Sequence, residues 1–159
     1  MKRVGLVRIL KGTIVFLALM AAALYILAFP EVIREMGAME PEFEWLVTPC
    51  IIAVSLSAAP IAAAMALFWR ICTEIGRDNS FSHRNARYLT GVGICALVDT
   101  GYCVVGTVTI FAITGGQPGI MLLSMAATLG GLMIAVAAFL LSHLVLKAAD
   151  LKADNDLTI

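Results

Sequence analysis

Between Trp45 and Trp69 the chain runs for 25 residues without a charge, and in the 59 residues from Tyr88 to Leu146 only Asp99 and His143 break the apolar pattern. Uncharged stretches of this length match the roughly 20 residues that a helix needs to cross the hydrocarbon of a bilayer. They are too long and too uniform for the two-faced pattern of a soluble helix. The composition agrees: 61% of the 159 residues are hydrophobic and 14% are charged, far from the soluble norm. In lipid every backbone N–H and C=O must be satisfied within its own segment or a closed barrel, so these runs read as membrane helices.

A third run, Gly12 to Phe29, has 18 uncharged residues behind Lys2, Arg3, Arg8 and Lys11. It exceeds the usual signal-peptide core of about 7–15 residues, and no small-x-small cleavage pattern follows it, so a retained anchor is expected. The 59-residue stretch is too long for one crossing, and Gly115-Gly116-Gln117-Pro118-Gly119 marks a turn within it. The expected fold is therefore all-α: one integral-membrane, antiparallel four-helix bundle with spans at about 12–29, 46–69, 88–114 and 120–146. A hinge at 70–87 and a tail at 147–159 complete it.

The connector from Pro30 to Trp45 is acidic, with five glutamates against Arg34, and a solvated loop is the favoured reading. A helix lying along the interface, with Val32, Ile33 and Met36 on one face, is the other. In the second span Pro60 cannot donate to the carbonyl of Leu56, which leaves that oxygen in need of another donor. Two rows of small residues, Ala58, Ala62 and Ala66 in span two and Ala127, Gly131 and Ala135 in span four, are expected to let a neighbouring helix approach closely.

The hinge is the longest polar island between the spans. Ser82 is placed to cap the next helix by accepting from the amide near Asn85, and Phe81 to pack back on the first turn. Ten of the eleven lysines and arginines fall at the amino terminus, in the hinge or in the tail, leaving Arg34 alone on the other side. Such an excess marks the cytoplasmic face, so both termini and the hinge are expected in the cytoplasm. The formal net charge is zero, and no direct nucleic-acid binding is expected.

Asp99 is the sharpest polar signal. It falls near the middle of span three, where an ionised carboxylate is expensive and no lysine or arginine of another span is at the same depth. Burial without a cation favours the neutral acid, which can donate a hydrogen bond. Ser57, Pro60 and the freed Leu56 carbonyl fall at the same level, so Asp99 is expected to bridge to this kink through Ser55, Ser57 or that carbonyl. The functional alternative is a proton or cation site.

Other chemistry finds little support. Cys50, Cys72, Cys95 and Cys103 show no metal-ligand spacing. Cys95 and Cys103 are two turns apart on one helix, beyond the ~7 Å that a disulfide spans. His83, in the hinge, and His143 have no ligand motif beside them, and His143 is read as an interfacial side chain. Nucleophile motifs, phosphate loops and internal repeats are absent from the sequence. No cofactor or metal is expected.

Two stretches together resemble a bacterial membrane family, domain of unknown function 2975. The stretch from Ile75 to Leu89, with Gly76, Asn79, Phe81, Ser82, Asn85 and Ala86 in place, is similar to the family's "G-N-x-F-S-x-x-N-A-x-x-L" loop, and here carries Arg77 and Asp78 where a shorter polar step often sits. The ending Leu151 to Ile159 is similar to its "L-x-x-x-x-D-x-T-I" tail. The resemblance implies a small multi-pass protein of the cytoplasmic membrane, often encoded beside a helix-turn-helix regulator, and brings no catalytic residues with it. The leading expectation is a non-enzymatic regulatory or interaction protein. Its partners would be the bilayer and a cytoplasmic regulatory protein, met through Ser80, Phe81, Ser82, Asn85, Arg87, Asp156, Thr158 and Ile159. The alternative is a small proton-coupled transporter using Asp99, for which a homodimer is expected because four spans enclose little volume. A quinone-type redox enzyme is disfavoured, since only Cys50 lies near the outer side.

Overall fold

A computed structural model describes residues 3–77, 79–116 and 118–156 of the chain. Four long helical rods follow one another. The first is built from α1 (Arg3–Ala23), a π-helical stretch over Leu24–Ala28 and α2 (Phe29–Met39). A 3-10 turn at Pro41–Leu46 leads into α3 (Val47–Gly76), followed by α4 (His83–Thr114) and α5 (Pro118–Asp156). All four are long and apolar enough to cross a membrane.

The acidic connector is helical through Met39, which corrects the solvated-loop reading. Proline forms no hydrogen bond to the residue four before it, and its ring crowds that carbonyl. For Pro30 that residue is Ile26, inside the π-helical stretch, where Phe29 N–H bonds instead to the Leu24 oxygen. The wider turn absorbs the proline, so the rod continues. Gly37 then lets α2 rest on α3, because a Cβ there would collide with Val47.

Each rod packs chiefly on its neighbour in sequence, α1 on α3, α3 on α4 and α4 on α5, and no extensive contact joins α5 to α1 or α3. The antiparallel bundle is thus an open row. The α4–α5 seam is its tightest part. Ala86, Gly93 and Thr100 recur every seven residues on α4, and they face Gly131, Ala135, Ala138 and Ser142 on α5. A Cβ on Gly93 would meet the Phe139 ring, and one on Gly131 the Thr100 hydroxyl. Small residues at heptad spacing bring two helices together where lipid supplies no hydrophobic drive.

The small row of α5 therefore packs through Gly131 and Ala135, while Ala127 is exposed. The other row faces outward, with Ala62 and Ala66 exposed. Ser57 is buried on α3, whereas none of that row's three alanines is.

Contacts place the first turns of α1 and the later part of α5 beside the hinge. Lys11 Nζ stands 4.8 Å over the Trp69 ring, and the Arg70 guanidinium 6.0 Å over that of Tyr88. His83 Nε2 lies 3.4 Å from Asp150 Oδ1. At the opposite end α4 stops at Gly115, whose φ of 72° is the left-handed cap that glycine adopts at little cost.

Candidate functional site

Two places gather polar groups: the hinge loop and the middle of the membrane.

The hinge is assembled on Glu74, a buried carboxylate near the end of α3. Its main-chain oxygen accepts from the N–H groups of Arg77 at 3.1 Å and Asn79 at 3.0 Å. Its Oε2 accepts from the Asn79 side-chain amide at 3.0 Å. Oε1 faces Arg84 at 3.5 Å and Arg77 at 3.8 Å. The Asn79 amide is the main reason that the Glu74 carboxyl is held below the ordinary glutamate range; desolvation opposes it, and the charges of Arg84 and Arg77 add to it. The uncharged run of α3 ends at Trp69, and Glu74 lies outside it.

From the other side Asn85 closes the loop. Its side-chain amide donates to the main-chain oxygens of Ser80 at 2.9 Å and Asn79 at 3.3 Å. Its own N–H donates to Ser82 Oγ at 3.2 Å, which is the helix cap expected of Ser82. Ala86, next along, lends its carbonyl to the Ser142 hydroxyl at 2.7 Å and the Thr90 hydroxyl at 3.1 Å, joining the hinge to α5.

Asn85, expected on the docking surface, is only 2% exposed and is spent inside the loop. Phe81, expected to fold back on the helix, is 57% exposed. Arg87 is exposed, and Ser80 and Ser82 are half-buried. Asp156 is the last residue of α5, whereas Thr158 and Ile159 lie outside the described residues. Glu74 was legible only as a countercharge to the arginines; its burial follows from contacts that the sequence does not display.

Asp99 sits at the middle of α4 and lines a cavity of about 240 Å³ together with residues of α1, α3 and α5. Pro60 lines the same space, so the two are brought together at one level. The expected bridge is not made. Ser55 donates to the Ile51 oxygen at 2.7 Å. Ser57 donates to that of Val54 at 2.8 Å and meets the Tyr25 hydroxyl at 3.0 Å. Oδ1 of Asp99 is buried without a hydrogen-bond partner among the described residues. Tyr25 answers Ser57 from the π-helical stretch of the first rod, a helix that reasoning on α3 and α4 alone leaves out. Its signal was its place as one of two polar side chains, with Thr13, in an apolar run. A second tyrosine, Tyr102, donates to the Ala53 carbonyl at 2.8 Å and ties α4 to α3.

The four cysteines are free, and among the described residues no three of His, Cys, Asp and Glu converge as metal ligands.

The model of the family described as "Protein of unknown function (DUF2975)" matches residues 31–159. The chain belongs to that family. The DUF2975 match begins within the first rod, just after Pro30, and takes in the hinge and the tail. The chain is also similar to the uncharacterized membrane protein YoaS of Bacillus subtilis strain 168, with 24% identity over 152 residues, 94% of this chain and 95% of the relative. No solved structure matches. Family, relative and four apolar rods agree on a multi-pass membrane protein in contact with lipid.

Proposed function

We propose that this DUF2975 protein is a non-enzymatic membrane component that docks a cytoplasmic regulatory protein on its hinge end. The excess of lysine and arginine at that end supports a cytoplasmic orientation. The observation that carries the docking reading is an exposed aromatic, Phe81, on a loop braced by hydrogen bonds among Glu74, Asn79, Ser80 and Asn85. A braced loop with a protruding ring presents contact area at little ordering cost.

The loop does not stand alone. α5 has 39 residues, which at about 1.5 Å each run nearly twice the ~30 Å of the hydrocarbon, and His83 meets Asp150 on its projecting part. The loop and the α5 turn that carries Asp150 thus lie side by side and offer mixed charge, suited to recognising a protein.

A photo-crosslinking amino acid at position 81, introduced in living cells, tests this. The expected result is a discrete adduct with a soluble protein, lost when residues 150–159 are deleted and absent when the crosslinker stands at Met39, at the opposite end. The same adducts from both positions, or modification of position 81 by a membrane-impermeant reagent added outside intact cells, would overturn it.

A further inference from the structure

The cavity beside Asp99 has a shape and a chemistry of its own. At about 240 Å³ it is larger than the ~150 Å³ engineered cavity that takes up benzene, so one ring with a short substituent fits. Its wall is hydrocarbon, with Leu17, Ile61, Met65, Phe68 and Ile134 from three different rods, and Asp99 is the one ionisable carboxyl on it. The Asp99 oxygen Oδ1 is buried and lacks a donor among the described residues. A buried acceptor of this kind is costly until a donor reaches it.

These features select among ligands. A lipid chain would fill the wall and leave Oδ1 unanswered. A metal cation such as calcium takes six or more oxygens, and this wall offers a single carboxyl. An anion would find no cation on the wall. A protonated amine carrying an aromatic or short alkyl group answers every surface: its N–H⁺ pairs with the carboxylate, and its apolar part covers the wall. We propose that the mid-membrane cavity is a binding site for a small lipophilic ammonium, with Asp99 as its counter-ion and hydrogen-bond acceptor. Because α1 and α5 make no extensive contact with each other, such a ligand reaches the cavity sideways from the lipid, where lipophilic amines concentrate. The inference is independent of the docking reading, since it concerns the other polar site.

The test uses the full chain in phosphatidylcholine nanodiscs and fluorine NMR. The probes are 4-fluoro-N,N-dimethylbenzylamine and its neutral isostere 1-fluoro-4-isobutylbenzene, with empty nanodiscs as the partitioning control. Saturable binding of the amine to the wild type is expected. Asp99→Asn should weaken it at least tenfold, the loss of a charge-assisted hydrogen bond, while leaving the isostere unchanged. Ala64→Leu, which adds bulk to the α3 wall of the cavity and leaves the carboxyl in place, should weaken both probes. The proposal is overturned if the wild type shows no saturable amine binding, if Asp99→Asn binds the amine as well as the wild type, or if the isostere binds the wild type as tightly as the amine. Should Asp99→Asn not fold, Ala64→Leu decides, and unchanged amine binding there is equally fatal.

Discussion

Asn79 grips Glu74 twice, its main-chain N–H donating to the Glu74 carbonyl oxygen and its side-chain amide to Oε2, each at 3.0 Å. This pair turns the end of α3 into the start of the hinge. The carboxylate is buried while the arginines beside it are largely exposed, so the amide contact dominates, and exposed guanidinium pairs add little.

A pH dependence follows for the loop. The Glu74 carboxyl is held below its ordinary range, so its contribution to hinge order is complete above that range and is lost as pH falls through the lowered value. A nitroxide on Phe81→Cys, in a background without the native cysteines, should report a loop that is immobile at neutral pH and mobilised only in acid. Glu74→Ala should be mobile at neutral pH and indifferent to acidification. An acid-induced mobilisation of the same size in that variant would assign the effect to another group.

Asn85 makes a sharper structural prediction. Asn85→Ala removes the donor to two loop carbonyls in a buried setting, which should cost about 1–3 kcal/mol. Unfolding of the variant in mixed micelles measures the cost, and faster tryptic cleavage after Arg77 locates it. Wild-type stability with wild-type cleavage would mean that the loop does not depend on this amide.

The α4–α5 seam can be tested where it is tightest. Gly131→Ala should destabilise by about 1–3 kcal/mol, because its new Cβ drives against the Thr100 hydroxyl. In a Thr100→Ala background much of that penalty should vanish, although Thr100→Ala alone gives up the bond from its hydroxyl to the Ala96 oxygen at 2.7 Å. Additive penalties in this double-mutant cycle would show that the two residues do not touch.

The first rod is attached more weakly, since none of the described α1 side chains is buried. Tyr25→Phe removes its bond to Ser57 and should cost about 0.6 kcal/mol, the average for a hydrogen bond between membrane helices. A crosslink engineered between α1 and α3 near this level should form less efficiently in Tyr25→Phe. Equal efficiency would indicate that the aromatic body, not the hydroxyl, holds the rod.

Much of the architecture is legible without coordinates. Four membrane rods follow from hydropathy alone, because the penalty for charge in lipid acts residue by residue along the chain. Ser82 as a cap is legible for the same reason, since the bond it accepts comes from a residue three positions away. Which side of a rod meets another is a different matter. In a soluble helix the apolar stripe points to the core, but a lipid-facing surface is as apolar as a packed one, so the signal is erased. Hence the Ala62 row turns outward while Ala135 is buried, and Tyr25, not Asp99, answers Ser57.

Local physics along the sequence therefore determined the solvent, the number of crossings and the cap of α4. Only the tertiary structure decided that Glu74 and Asn85 lie inside the hinge, that Phe81 points out, and that Asp99 borders a cavity. The cavity depends on how four rods are rotated about their own axes, which contacts between residues far apart in the chain settle; the hinge depends on side-chain bonds across an irregular loop, five to ten residues apart, which no periodic pattern displays.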